Sequence, residues 1–424
     1  MMLWHTNRQR ALVALVQVLA LSAWFSATAV VPTLRSEWGI GATAAVWLTA
    51  SVQIGFVVGA ITSTGFNLAD RTKPQHLLAA SALGAAACTA ALALSASGLA
   101  AAVPLRFLTG MFLAGVYPVG MKLIASWSAS TDRGRTFGVL LAALTIGSAL
   151  PHLITGLGPL PWRTVMLTAA ELTAVGAVVA LTAVRPGPHL DVRAVIPNPR
   201  HALALLTERG PRLASLGYFG HMWELYALWT WLPMFVVAGR GARGDAAVGS
   251  TGFIAFGAIG VAGTVGCLLG GWASDRFGRP PAAVAALVIS GTCCVASPLF
   301  FAGPTLLLVI FLLVWGTAVI ADSGVFSTLL TETTDTRFVG TALTAQTATG
   351  FLLTVVTIQL VPVVAGLIGW QYAFLLLAPG PLLGAVAMSA LPNHHPLKEK
   401  SNDYRLYAHD TVRRADSAPL THRR

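Results

Sequence analysis

Twelve apolar runs, each near the roughly 20 residues that a helix needs to cross a bilayer, are strung along a chain of 424 residues. They fall at 11–33, 43–66, 77–98, 101–126, 136–157, 163–184, 213–237, 250–274, 281–302, 304–329, 338–364 and 370–391. Lipid offers backbone N–H and C=O groups no partner, so each unpaired one costs several kcal/mol and helices become the default spanning element. No alternating strand pattern competes. Charged residues make up 10% of the chain, against about a quarter in a soluble domain, and too few remain to cover a water-facing surface. The first run is too long for the apolar core of a signal peptide, roughly 7–15 residues, and is expected to stay as a membrane helix. The fold class that follows is all-α: a polytopic membrane protein with twelve transmembrane helices.

The net charge of +11 raises a nucleic-acid partner and then excludes it. If the loop around Asp275 faces the cytoplasm, 21 of the 27 Lys and Arg residues fall on that side in alternate loops and at the two termini. Arg35, Arg163, Arg240 and Arg243 fall on the other side. This is the positive-inside pattern, so the basicity reports topology. It is expected to place both termini in the cytoplasm, while the short loops and the lack of targeting or glycosylation cues lead us to expect the inner (plasma) membrane. Cys88, Cys267, Cys293 and Cys294 all lie in apolar runs, where cysteine behaves as a small hydrophobe. No metal-ligand spacing, phosphate loop or nucleophile elbow is present. Neither an enzyme, a metal or cofactor site, nor an ATP-driven pump is expected.

The chain repeats itself. Gly271-Trp272-Ala273-Ser274-Asp275-Arg276-Phe277-Gly278-Arg279 follows the eighth run, and Asn67-Leu68-Ala69-Asp70-Arg71-Thr72-Lys73 follows the second. Trp162 and Trp370 open the sixth and twelfth runs, and Pro32 and Pro233 end the first and seventh. These pairs are 201–208 positions apart, which divides the chain into two parallel six-helix halves. The loop segments resemble the G-x-L-a-D-R-x-G-R-K signature of the major facilitator superfamily. Ala273 replaces Leu in the second copy; Phe66 and Lys73 replace glycines in the first. The resemblance covers residues 11–391 and implies two six-helix pseudo-repeats around a central cavity, with the substrate site at their interface near the bilayer midplane. The domains read as 1–184 (N-terminal half), 185–212 (a proline-rich cytoplasmic linker), 213–391 (C-terminal half) and 392–424 (a disordered cytoplasmic tail). The resemblance also makes the loops a conformational latch built on Asp70, Arg71, Asp275, Arg276, Gly278 and Arg279, with Arg276 and Arg279 reaching acidic partners on the opposing half.

Charges in the bilayer core are costly and tend to be functional. Arg106, Lys122, Glu171, Glu224 and Asp322 lie within the runs and away from their ends. By resemblance, helices one, four, seven and ten line the cavity. On helix seven, His221 and Glu224 are three apart and share a face. Two readings follow: a proton-coupling site, since a desolvated carboxyl can load and release a proton as access alternates, or a buried Glu224–His221 structural pair that closes the two halves. On helix four, Arg106-Phe107-Leu108-Thr109-Gly110 resembles the superfamily's fourth-helix Arg motif. Arg106 suits an anionic group or, alternatively, snorkels to water. Pro118, between glycines, is expected to bend that helix. Asp322 can partner Lys122 or Arg106, gate the inner mouth, or meet a cation. Trp24, Gln53, Tyr117 and Tyr226 complete the candidate substrate-binding set, with His152 a weaker member. The Gly147–Gly156 stretch resembles the antiporter motif of exporters only loosely.

The expected function is secondary active transport of a small organic solute, with Arg106 tipping the choice towards an anion. The expected mechanism is alternating access coupled to protons, by a monomer whose partners are solute, protons and lipid. The alternative is a proton-driven multidrug exporter of hydrophobic compounds, suggested by Trp223, Tyr226, Trp229 and Trp231. A non-transporting membrane sensor is a minor one. If the loop is a latch, Asp275→Asn lowers transport several-fold in correctly inserted protein while leaving its yield near that of wild type. A wild-type transport rate would contradict the latch.

Overall fold

A computed structural model describes residues 2–66, 68–128, 133–158, 160–190, 207–245, 250–334 and 339–392. Most of the expected linker (191–206) and the tail beyond 392 lie outside the described residues. Twelve helical columns follow one another: α1 (Met2–Leu21, Ser26–Ala29 and Val31–Trp38), α2 (Thr43–Gly65), α3 (Pro74–Ser95), α4 (Leu99–Ser126), α5 (Arg133–Gly156) and α6 (Trp162–Thr182). The second six are α7 (Arg209–Ala242), α8 (Thr251–Phe277), α9 (Arg279–Phe300), α10 (Thr305–Thr333), α11 (Val339–Ile368) and α12 (Trp370–Ser389). Among the described residues, ten of these are long and apolar enough by themselves to cross a membrane. The exceptions are α1, which is broken at residues 22–25, and α7, whose apolarity is diluted by His221, Glu224 and three tryptophans. Both overrun the lengths expected from hydropathy: α1 runs from residue 2 to 38, and α7 starts at Arg209.

Small residues let helices within each half approach closely, the usual solution where lipid removes the hydrophobic drive. A Cβ on Gly110 of α4 would fall 2.0 Å from Val52 O of α2, and one on Gly55 would fall 1.9 Å from Phe107 O. The C-terminal half repeats this between α8 and α10, with Gly316 against Ala258 O and Gly266 against Thr317 O. Gly110 and Gly316 are 206 positions apart, so the repeat is visible in packing as well as in the loops. The tryptophans that open α6 and α12 also correspond: Trp162 packs edge-on against Trp38 of α1, and Trp370 packs at a tilt against Trp231 of α7.

Among the described residues, α1, α4 and α10 are each interrupted near the middle of their length. In α4 the helix lapses at residues 114–116 and restarts at Tyr117. Pro118 has no N–H for the carbonyl of Ala114, and Gly115 and Val116 fall back on bonds to Phe112 O and Leu113 O, three residues earlier. The expected bend is therefore a full interruption, just before the proline. α10 breaks at Asp322, 207 positions after Gly115, and α1 breaks at residues 22–25. Arg106 repairs the break in α1. Its Nη1 donates to Ala23 O at 2.9 Å and to Ser26 Oγ at 3.2 Å, its Nη2 to Trp24 O, and its Nε to Leu48 O of α2 at 3.0 Å. It is wholly buried and does not snorkel.

On the face away from the loop motifs the halves meet. Phe25 of α1 lies 6.0 Å from Tyr226 and 5.8 Å from Trp229 of α7 (ring centroids). α5 and α8 close the same end, where a Cβ on Gly252 would sit 2.5 Å from His152 O. On the loop-motif face, the inner halves of α4 and α10 flank an open space instead. Arg106→Leu would remove the guanidinium's bonds to two carbonyls at the α1 break, Ala23 O and Trp24 O, and to Leu48 O of α2, at about 1–3 kcal/mol for each group left unpaired. The variant is predicted to melt many degrees lower even without solute. Unchanged melting together with weakened solute binding would assign Arg106 to the substrate instead.

Candidate transport site

The space between the halves is a cavity of about 480 Å³. Its blind end is aromatic: Phe56 of α2 meets Phe351 of α11 in a tilted contact at 4.5 Å, and Tyr226 lies 5.1 Å from Phe351. Trp24 sits behind them, 5.0 Å from Phe56 and 5.7 Å from Phe351. Its walls carry hydroxyls from Tyr117, Tyr218, Ser323, Ser327, Thr341, Thr344 and Thr347. The ionisable basic groups on the lining are Lys122 and His221, and among the described residues no Asp or Glu lines it. Past Lys122 and Ser327 the cavity continues into a second space of about 590 Å³, whose walls include Asp275, Arg279 and Glu332. It opens to the loop-motif face.

The candidates separate into three groups. Tyr117, Tyr226 and His221 lie on the cavity wall. Trp24, Gln53 and Arg106 lie behind it, buried. Gln53 has neither amide atom hydrogen-bonded, and the indole Nε1 of Trp24 is likewise without a partner. His152 is buried at the closed end.

The third group is the surprise of α7. His221 and Glu224 do not pair with each other. Glu224 turns from the cavity into its own half, and its Oε1 accepts from Ser290 Oγ at 2.5 Å, Trp315 Nε1 at 2.6 Å and Cys294 Sγ at 3.3 Å. These donors come from α9 and α10, so Glu224 knits the C-terminal half together and does not close the halves on each other. His221 bridges the break of α10: Nδ1 lies 2.8 Å from Asp322 Oδ1, and Nε2 lies 2.8 Å from Ser323 Oγ. Asp322 therefore meets His221, while Arg106 spends its donors on α1 and α2. Sequence reading named His221 and Asp322 separately and missed Ser323, Tyr218 and the α11 threonines. Only the position of Ser323 next to a buried acid could have flagged it.

At the loop motif, Gly278 holds φ +95° between α8 and α9, a conformation that demands glycine. Arg279 pairs with Glu332 at the end of α10. The expectation that Arg279 reaches the opposing half is thus corrected: Glu332 belongs to the same half, and with the cavity open on this face the other half stands apart. Asp275, Arg276 and Arg71 are exposed, and the side chain of Asp70 lies outside the described residues.

The fold is similar to that of the Escherichia coli xylose transporter XylE. With a partially occluded inward-open form of that protein the TM-score is 0.70 at 15% identity, covering 92% of this chain and 98% of that one. With the proton:xylose symporter XylE bound to 6-bromo-6-deoxy-D-glucose it is 0.69 at 16% identity, covering 93% and 97%. In sequence, the chain is 25% identical over 301 residues to the gallate transporter of Pseudomonas putida, a match that spans 63% of this chain and 65% of that protein. The family model described as Major Facilitator Superfamily matches residues 13–358 and 268–422. The chain is a multi-pass membrane transporter, and it belongs to the major facilitator superfamily.

Proposed function

We propose that the protein is a secondary active transporter of small aromatic carboxylates, driven by protons and working by alternating access. The observation that carries this reading is the chemistry of the cavity wall. Phe56, Phe351 and Tyr226 provide a stacking floor, and offset or tilted ring contacts of this kind contribute about 0.5–1.5 kcal/mol each beyond burial. Tyrosine, serine and threonine hydroxyls ring that floor and suit hydroxyl substituents. Lys122 supplies positive charge, and among the described residues no carboxylate lines the wall to oppose an anion. The volume fits a small ligand, since such sites run to about 300–1,000 Å³. The similarity to a gallate transporter points the same way. A lipophilic cation would lack a counter-charge on this wall, which disfavours the multidrug alternative.

The charge distribution of the loops supports a cytoplasmic assignment for the loop-motif face. On that reading the cavity is open inward, both termini are cytoplasmic, and the protein sits in the inner membrane. A single chain supplies every wall described, which fits a monomer. The test is uptake of radiolabelled gallate into proteoliposomes under an imposed pH gradient, with xylose as the control solute. Gallate is expected to accumulate above equilibrium and xylose to stay at the leak rate. Accumulation of xylose without gallate, or of neither, would contradict the reading.

A further inference from the structure

Building on that transport reading, we propose that the driving proton is carried by the His221–Asp322 couple at the break of α10, and that loading it is what admits the anion. The couple is buried: His221 is 2% exposed and Asp322 1%. Ser323, half-buried on the cavity wall, is its contact with water. Among the described residues, no other buried His–carboxylate couple meets the cavity through a hydroxyl.

Asp322 Oδ1, 2.8 Å from Nδ1, is buried with no other partner, so we assign the Nδ1 proton to face it, which leaves Nε2 to accept the Ser323 hydroxyl hydrogen. Loading passes a proton from cavity water to Ser323 Oγ as that hydroxyl hands its own to Nε2. The product is an imidazolium beside a carboxylate, and the couple goes from a net charge of −1 to 0. Release reverses the two transfers and leaves Ser323 unchanged.

The groups that face the couple are few. On α7 these are Tyr218 and Glu224, one turn away on either side, the latter held by its three donors. On α8 Cys267 stands near, its thiol 3.7 Å from Thr145 Oγ1. Tyr117 and Lys122 face it from α4 across the cavity. An unloaded couple places a lone negative charge beside the anion site and opposes binding. It also makes closure costly, because an uncompensated net charge taken out of water is strongly penalised. Since His221 ties Asp322 to Ser323 across the break, the same proton sets how firmly the inner half of α10 is held to α7.

The test is equilibrium binding of gallate to purified protein between about pH 5 and pH 8, the range in which imidazole titrates, for wild type and three variants. In wild type, Kd rises with pH, by up to about tenfold per unit if one proton is linked. Asp322→Asn removes the negative charge and keeps the tight, acid-form affinity at pH 8. His221→Gln fixes that charge and shows the weak, alkaline-form affinity at pH 5. Glu224→Gln retains the wild-type profile. Loss of affinity in both Asp322→Asn and His221→Gln, or loss of the pH dependence in Glu224→Gln, overturns the proposal. If one of the couple's variants fails to fold, the other decides by its direction. If wild type binds no gallate, the substrate reading has failed. The couple is then judged from the pH profile of the melting midpoint without solute, which His221→Gln is expected to flatten and Glu224→Gln to leave. An unaltered profile in His221→Gln rejects it.

Discussion

Within a bilayer, backbone groups have only each other and the side chains for partners, so every helix break in this protein must be repaired from inside. That constraint organises the structure. The break in α1 is closed by Arg106, which carries carbonyls of α1 and α2 on one guanidinium. The break in α4 follows from Pro118 and is carried by short-range turns. The break in α10 is bridged by His221 from α7. Close glycine crossings then hold each half as a unit, so that movement is directed to the seam between halves and to the segments beyond the breaks.

The seam has two different ends. At the closed end large rings interdigitate: Trp24 and Phe25 from one half, Tyr226, Trp229 and Phe351 from the other. At the open end hydroxyls, Lys122 and the ion-paired loop motif line a wet approach. Trp24 Nε1 and Gln53 are buried without partners just behind the floor. Unpaired buried groups cost about 1–3 kcal/mol each, so the closed end is held by packing and opposed by polarity. A seam balanced in this way suits a protein that must open at that end in its other state.

Much of the architecture was legible because its causes are local. Run lengths, alternating loop charge and the repeated Asp-Arg loops each survive as sequence patterns, and Pro118 marked where α4 departs from a straight helix, though as a bend and not as the interruption found. The site was less legible. Spacing put His221 and Glu224 on one face of α7, yet three residues along a helix are 300° of rotation, and a 60° offset sufficed to send one ring to the cavity and the other carboxyl to α9 and α10. The role of Arg106 was hidden for a related reason: its partners are carbonyls, which every residue has, so no sequence signal marks them. The extent of α1 and α7 was misjudged because hydropathy averages over aromatic and broken segments that the lipid does not see.

The central claim is that the cavity alternates its opening around the broken helices. Distances between paired spin labels, in a background without the native cysteines, test it most directly, with Ala125→Cys on α4 against Thr331→Cys on α10 at the open mouth. Gallate at acidic pH is expected to shorten this distance relative to solute-free protein at alkaline pH. A distance distribution that ignores both solute and pH would contradict the account.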